Sequence, residues 1–139
     1  MKLFFLLAFI LISKFTFSQV TTIKRDTLYY LLDTAKIPIN DRMIKITDAP
    51  LFKFYYFRCP CLDEGQMPYL IHRTNDKGEI IDSSKINKIK MIATVPLLYL
   101  FHKNYYRFNV EHIVYILEVL PDKKIIKHLV TTGAIALKM

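Results

Sequence analysis

The chain of 139 residues is long enough for one ordinary domain with a hydrophobic core. Only three residues are glycine, which excludes the glycine-rich loops that hold phosphate groups in nucleotide-binding enzymes. The formal net charge of +8 at pH 7 favours an anionic partner, such as the surface of a cell envelope.

The first 18 residues have the pattern of a secretory signal peptide. Lys2 supplies a positive start, residues 3–12 form an unbroken apolar run, and Thr16 and Ser18 place small residues at both ends of a cleavage tripeptide. The apolar run is much shorter than the roughly 20 residues that a membrane-spanning helix needs. We therefore expect cleavage after Ser18 and a single small globular domain over residues 19–139.

This start resembles the export signals of Gram-negative bacteria, which implies a periplasmic or extracellular location. A soluble protein is expected after removal of the signal. Export makes nucleic acid a poor candidate partner in spite of the positive charge. An envelope protein or an anionic envelope surface is the expected partner.

The first half of the mature chain predicts mainly strands. Residues 27–33 form a short aromatic segment, for which a helix capped by Asp26 is the alternative. Residues 42–47 alternate between two faces and are followed, after a turn, by the strand-like segment 51–59. Residues 69–82 predict a hairpin around an Asn-Asp-Lys-Gly turn, in which the glycine supplies a positive φ.

The second half predicts a helix and then another hairpin. In the segment 96–103, Leu97 and Phe101 have helical spacing, and Thr94 is placed to cap the first turn. Residues 111–130 contain two apolar runs joined by Leu-Pro-Asp-Lys, an order that a type I turn accepts.

The order of these elements predicts an α+β domain. We expect an antiparallel β-sheet of about six or seven short strands, with one short helix near residues 96–103. An all-β sandwich or barrel is the alternative.

No catalytic motif is present, so we predict a protein that is not an enzyme, with no catalytic residue and no cofactor. The segment 82–85 (DSSK) has a simple interpretation as a loop or helix cap. His72, His102, His112 and His128 are scattered without metal-binding spacing. For the three that lie in or beside predicted strands, we expect half-buried histidines bonded to the backbone, with a metal site assembled across strands as the alternative.

Two runs, residues 51–58 (LFKFYYFR) and 101–108 (FHKNYYRF), mix aromatic and basic residues. Such mixtures line grooves for single-stranded nucleic acid and platforms for sugars. In the first run, however, apolar residues occupy both faces of the predicted strand, as in a strand covered on each side. We therefore expect these rings to pack in the core and on the sheet, with an exposed aromatic surface as the alternative.

The only two cysteines, Cys59 and Cys61, are separated by a proline. In an oxidising compartment such a pair favours a disulfide, although a bridge between residues two apart is strained. A small structural disulfide clip is the preferred interpretation. A weak metal or thiol-redox site and pairing with another chain are the alternatives.

Together these patterns predict a small exported, non-catalytic domain that binds a protein or an envelope component. The alternative is a periplasmic thiol-redox or soft-metal-binding protein that uses Cys59 and Cys61.

Overall fold

The computed structural model describes residues 23–38, 40, 42–58 and 67–132. Its strands are β1 (Asp26–Asp33), β2 (Ile44–Asp48), β3 (Phe52–Phe57), β4 (Tyr69–Arg73), β5 (Glu79–Ile81), β6 (His112–Val119) and β7 (Ile125–Thr132). Its helices are α1 (Ser83–Ile86), α2 (Thr94–Lys103) and α3 (Phe108–Glu111).

The strands form one seven-stranded sheet in the order β1-β6-β7-β4-β3-β2, with β5 also paired to β7. The predicted sheet-rich fold is confirmed, but the sheet is mixed rather than purely antiparallel. Strands β1 and β6 run parallel, in a register from Asp26 opposite His112 to Asp33 opposite Val119. These two strands lie far apart in the chain, which leaves room for the long crossover that parallel neighbours require.

The predicted helix is confirmed as α2, which starts slightly earlier than expected, at Thr94. The predicted cap is wrong, because Ala93 occupies the N-cap position and no side chain caps the helix there. The hydroxyl of Thr94 instead hydrogen-bonds the hydroxyl of Tyr30 at 2.9 Å. Thr94 therefore ties the start of α2 to strand β1.

The predicted hairpin over residues 69–82 is wrong in its pairing. Both β4 and β5 pair antiparallel with β7, so they lie end to end along the same neighbour. The residues between them form a loop that ends at Gly78, whose φ of 70° confirms the expected positive value. A Cβ atom on Gly78 would lie 2.9 Å from the carbonyl oxygen of Lys127 and 3.1 Å from Nδ1 of His128. The absence of a Cβ atom on Gly78 thus lets this loop pack closely against β7.

The predicted hairpin of β6 and β7 is confirmed. Its turn is closed by hydrogen bonds from the amide of Lys123 to the carbonyl of Leu120 (2.9 Å) and from the amide of Leu120 to the carbonyl of Lys124 (2.8 Å). Lys123 has a φ of 65°, the left-handed conformation that follows the turn in three-residue hairpin loops.

Replacing Lys123 with Gly should stabilise the domain by up to about 1 kcal/mol, because glycine adopts this conformation without the Cβ penalty. The measurement is the midpoint of urea unfolding, compared with Lys124→Gly as the neighbouring control. A loss of stability in Lys123→Gly that equals the loss in Lys124→Gly would contradict the expected relief of strain.

The sheet is strongly curled, so that side chains from distant strands meet on its inner face. The rings of Tyr30 on β1 and Phe57 on β3 are 5.9 Å apart, although three strands lie between β1 and β3 in the sheet. Helix α2 adds Leu97 and Phe101 to this concave side, and α3 adds Phe108. The sheet curls as a barrel does, so the barrel alternative is apt in part. It differs from a barrel in keeping β1 and β2 as two end strands.

The core lies inside this curl. Its buried members are Tyr30, Leu32, Ile44, Tyr55, Phe57, Leu70, Leu97, Phe101, Phe108, Val114, Ile116 and Val130. Within the described part of the chain, no helix has the length and apolar character needed to cross a bilayer.

Candidate functional site

The predicted site residues Cys59 and Cys61 lie outside the described residues. They belong to the connection between β3, which ends at Phe57, and β4, which begins at Tyr69. The disulfide, thiol-redox and soft-metal interpretations therefore stay predictions.

The four histidines have different environments. His102 is exposed on α2, and His112 is half-buried at the start of β6, whereas His72 and His128 are buried inside the curl. Across the described ranges, no group of three or more His, Cys, Asp and Glu residues is arranged to hold a metal ion.

His72 confirms the expectation of a histidine bonded to the backbone. Its Nδ1 lies 2.9 Å from the carbonyl oxygen of Leu129, and its Nε2 lies 2.8 Å from the carbonyl oxygen of Asp76. A carbonyl oxygen only accepts, so a ring nitrogen that carries a proton donates to the carbonyl beside it. His72 thereby connects the loop between β4 and β5 to strand β7.

A row of acidic and basic side chains crosses the inner face of the sheet beside His72. We call it the buried acid–base row because its two histidines and Glu118 are buried, whereas the side chain of Asp48 at its end is 75% exposed. It consists of Asp48, Lys53, His72, His128 and Glu118, from β2, β3, β4, β7 and β6 respectively. Nζ of Lys53 lies 4.0 Å from Oδ1 of Asp48 and 3.7 Å from Oε2 of Glu118. These contacts connect strands from both halves of the curled sheet.

His128 lies at the centre of this row. Its Nε2 is 3.3 Å from Oε2 of Glu118, and its ring centroid is 4.5 Å from that of His72. The distance to Glu118 is that of an ion pair, but neither ring nitrogen of His128 meets hydrogen-bond geometry. The contact is therefore mainly electrostatic and depends on the charge of the imidazole.

The row changes the acid–base properties of two buried groups. The imidazole of His128, and after it the ammonium of Lys53, holds the pKa of Glu118 below its usual value in spite of burial. Burial, followed by the charges of Glu118 and Asp48, raises the pKa of Tyr55 well above its ordinary range. The hydroxyl of Tyr55 is buried, and no described residue hydrogen-bonds it.

A second feature lies on the opposite face of the sheet, where the aromatic run of β3 divides by alternation. Tyr55 and Phe57 point inward and are buried, as expected. Phe52, Phe54 and Tyr56 occupy the outward positions and are half-buried, so these three pack on the surface of the sheet and not in the core.

The outward rings form a continuous aromatic cluster with Tyr69 of β4. Ring centroids are 6.2 Å apart for Phe52 and Phe54, 6.0 Å for Phe54 and Tyr56, and 5.3 Å for Tyr56 and Tyr69. The register of β3 and β4 places Tyr56 directly opposite Tyr69. Because the rings pack on one another, the cluster is ordered by the sheet itself.

Basic residues flank these rings. The registers place Lys45 of β2 opposite Tyr56 and Arg73 of β4 opposite Phe52, so both residues share the outward face. Beside them, Leu129 of β7 is 43% exposed. We define the convex aromatic face by the following residues: Phe52, Phe54, Tyr56, Tyr69, Lys45, Arg73 and Leu129.

The outward positions of β2, β3 and β4 carry no acidic residue among those that the structure describes. The other half of the outward surface is different, because Glu79 of β5 forms an ion pair with Lys127 of β7 there. Lys127 also lies over the ring of Tyr115. The convex aromatic face is therefore the more basic half.

Comparison with known proteins leaves the geometry as the guide to function. No protein-family model matches the chain, and no significant similarity was found to a curated protein or to a solved structure.

Proposed function

We propose that this chain is a small exported, non-catalytic domain that binds a protein or an envelope component through the convex aromatic face. The observation that carries the proposal is the cluster of four half-buried rings at outward positions of β3 and β4. Aromatic side chains combine a large apolar area with few rotatable bonds, and they contribute strongly to binding surfaces.

The buried acid–base row has a structural role in this proposal. It joins five strands, and it lies on the concave side of the sheet, behind the convex aromatic face. Fixing the curl in this way keeps the outward rings in one arrangement before a partner binds. A surface that is already ordered loses less conformational entropy on binding.

The proposed location follows from the signal-like start of the chain, with Gln19 as the first residue of the exported form. The alternative thiol-redox or soft-metal function depends on Cys59 and Cys61 alone. Among the described residues, no grouped set of metal-ligating side chains adds to it.

The test is binding of the purified mature chain to washed envelope fragments of a Gram-negative bacterium. Replacing both Phe54 and Tyr56 with Ser should weaken binding at least about tenfold, since buried aromatic side chains contribute more than 1.4 kcal/mol in total. Intact mass would establish that the recovered chain begins at Gln19, and circular dichroism would establish that the variant is folded.

The matched control replaces two exposed aromatic residues away from this face, Tyr99 and Tyr106, which are 64% and 87% exposed. Ser at both of these positions should leave envelope binding unchanged. Equal losses in the two double variants, or no binding by the unsubstituted chain, would contradict the proposed function.

A further inference from the structure

The curvature of the sheet narrows the kind of partner that the convex aromatic face can take. Nζ of Lys53 on β3 reaches to 3.7 Å from Oε2 of Glu118 on β6, although β4 and β7 lie between these strands. Together with the contact between Tyr30 and Phe57, this distance makes the inner side concave and the aromatic side convex. Pockets for small ligands are concave, so a convex face suits a broad surface instead.

The rings pack on one another as a single cluster. Phe54 and Tyr56 are stacked on each other with 24° between their ring planes, and Tyr69 packs against both at 6.0 and 5.3 Å. Together they form one apolar surface that includes the hydroxyl groups of two tyrosines.

Such a surface fits the interface between lipid headgroups and acyl chains. Tyrosine is enriched there because one end of its side chain is apolar and the other is polar. Leu129 on the same face and Leu51, 69% exposed in the turn beside Phe52, extend the apolar area.

The charges fit a lipid surface that is anionic. Arg73 is exposed on the same outward face as the rings, and Lys45 of β2 also lies on that face. The formal net charge of the mature chain has the same sign, at about +6, because only Lys2 and Lys14 are lost from the total of +8. Long-range attraction would therefore bring the domain to an anionic surface before the rings make contact.

We propose that the convex aromatic face docks on an anionic phospholipid surface. Phe54, Tyr56 and Tyr69 enter the headgroup region, while Lys45 and Arg73 meet the anionic headgroups. This inference deepens the proposed function and rests on it, since it names the envelope component that the face binds.

The experiment is co-sedimentation of the mature chain with vesicles. One set contains phosphatidylglycerol and phosphatidylcholine in equal amounts, and the other contains phosphatidylcholine alone. At low salt, binding to the anionic vesicles should be at least about tenfold stronger than binding to the neutral ones, and raising the salt concentration should weaken it.

Two variants separate the apolar from the electrostatic contribution. The double variant Phe54→Ser and Tyr56→Ser should weaken binding to anionic vesicles at least about tenfold, whereas Tyr99→Ser and Tyr106→Ser should not change it. Lys45→Gln combined with Arg73→Gln should reduce the preference for anionic over neutral vesicles. Circular dichroism again checks that each variant is folded.

The outcomes distinguish this inference from the function on which it rests. A chain that binds envelope fragments through the face but ignores vesicles would overturn the lipid proposal and leave the proposed function standing; sensitivity of that binding to protease treatment of the fragments would identify a protein partner. Vesicle binding that is unaffected by Phe54→Ser and Tyr56→Ser would also overturn the lipid proposal. Binding to neither material would overturn both.

Discussion

Replacing Glu118 with Gln should lower the free energy of unfolding at neutral pH by about 2 kcal/mol or more, because it leaves the half-buried ammonium of Lys53 without its buried counter-charge. Glu118 is 6% exposed, and its carboxylate lies 3.7 Å from Nζ of Lys53 and 3.3 Å from Nε2 of His128. Glutamine preserves the shape of the side chain, so the loss of stability would measure the contribution of the negative charge. The measurement is urea unfolding of both proteins.

The pH dependence of this loss follows from the lowered pKa of Glu118. A carboxyl group whose pKa is lower in the folded than in the unfolded chain stabilises the fold fully only above its unfolded pKa, about 4.3. That stabilisation disappears as the pH falls through the folded pKa. The difference between the two proteins should therefore be large at neutral pH and shrink below about pH 4.

The matched control is Glu79→Gln, which removes the acidic partner of Lys127 on the outward face. The side chain of Glu79 is 65% exposed, so water and salt screen this pair, and stability should change little. If Glu118→Gln were as stable as the unsubstituted protein at neutral pH, the cost of burying the acid–base row would equal its attraction. The row would then contribute nothing to fixing the curl.

The sequence predicts the local elements of this fold well and its distant pairings poorly. Helix α2 and the hairpin of β6 and β7 depend on spacing and turn residues within short segments, and both are confirmed. The parallel pairing of β1 with β6 joins segments about eighty residues apart, and no local pattern specifies it. Gly78 illustrates the same limit. Its positive φ could be predicted, but a glycine with positive φ occurs both in hairpin turns and in loops between strands that do not pair with each other.

The candidate sites follow the same distinction. Alternation along β6 places Glu118 on the same face as Val114 and Ile116, so a buried carboxylate could have been predicted from the sequence. Its contact with His128 follows from the predicted hairpin, because the two residues are diagonal neighbours on one face of β6 and β7. Its contact with Lys53 could not be predicted, because Lys53 reaches it only through the curl of the sheet. In the same way, the run in β3 contains the outward rings of Phe54 and Tyr56, but only the pairing with β4 adds Tyr69 to them.

Replacing Leu97 with Asp should destabilise the domain by several kcal/mol, enough to unfold a domain of ordinary stability. Leu97 is 1% exposed in α2 and belongs to the core that the helix closes on the concave side. A carboxylate there would replace apolar contacts with an unpaired buried charge. Far-ultraviolet circular dichroism and urea unfolding measure the effect.

The matched control lies two residues earlier in the same helix. Val95 is 76% exposed, so Val95→Asp places the same carboxylate in water, close to the positive N-terminal end of the helix dipole. Its stability should therefore be unchanged or slightly higher. If Leu97→Asp unfolded no more readily than Val95→Asp, α2 would not be packed on the curled sheet. The concave core, and with it the convexity of the aromatic face, would then have to be reconsidered.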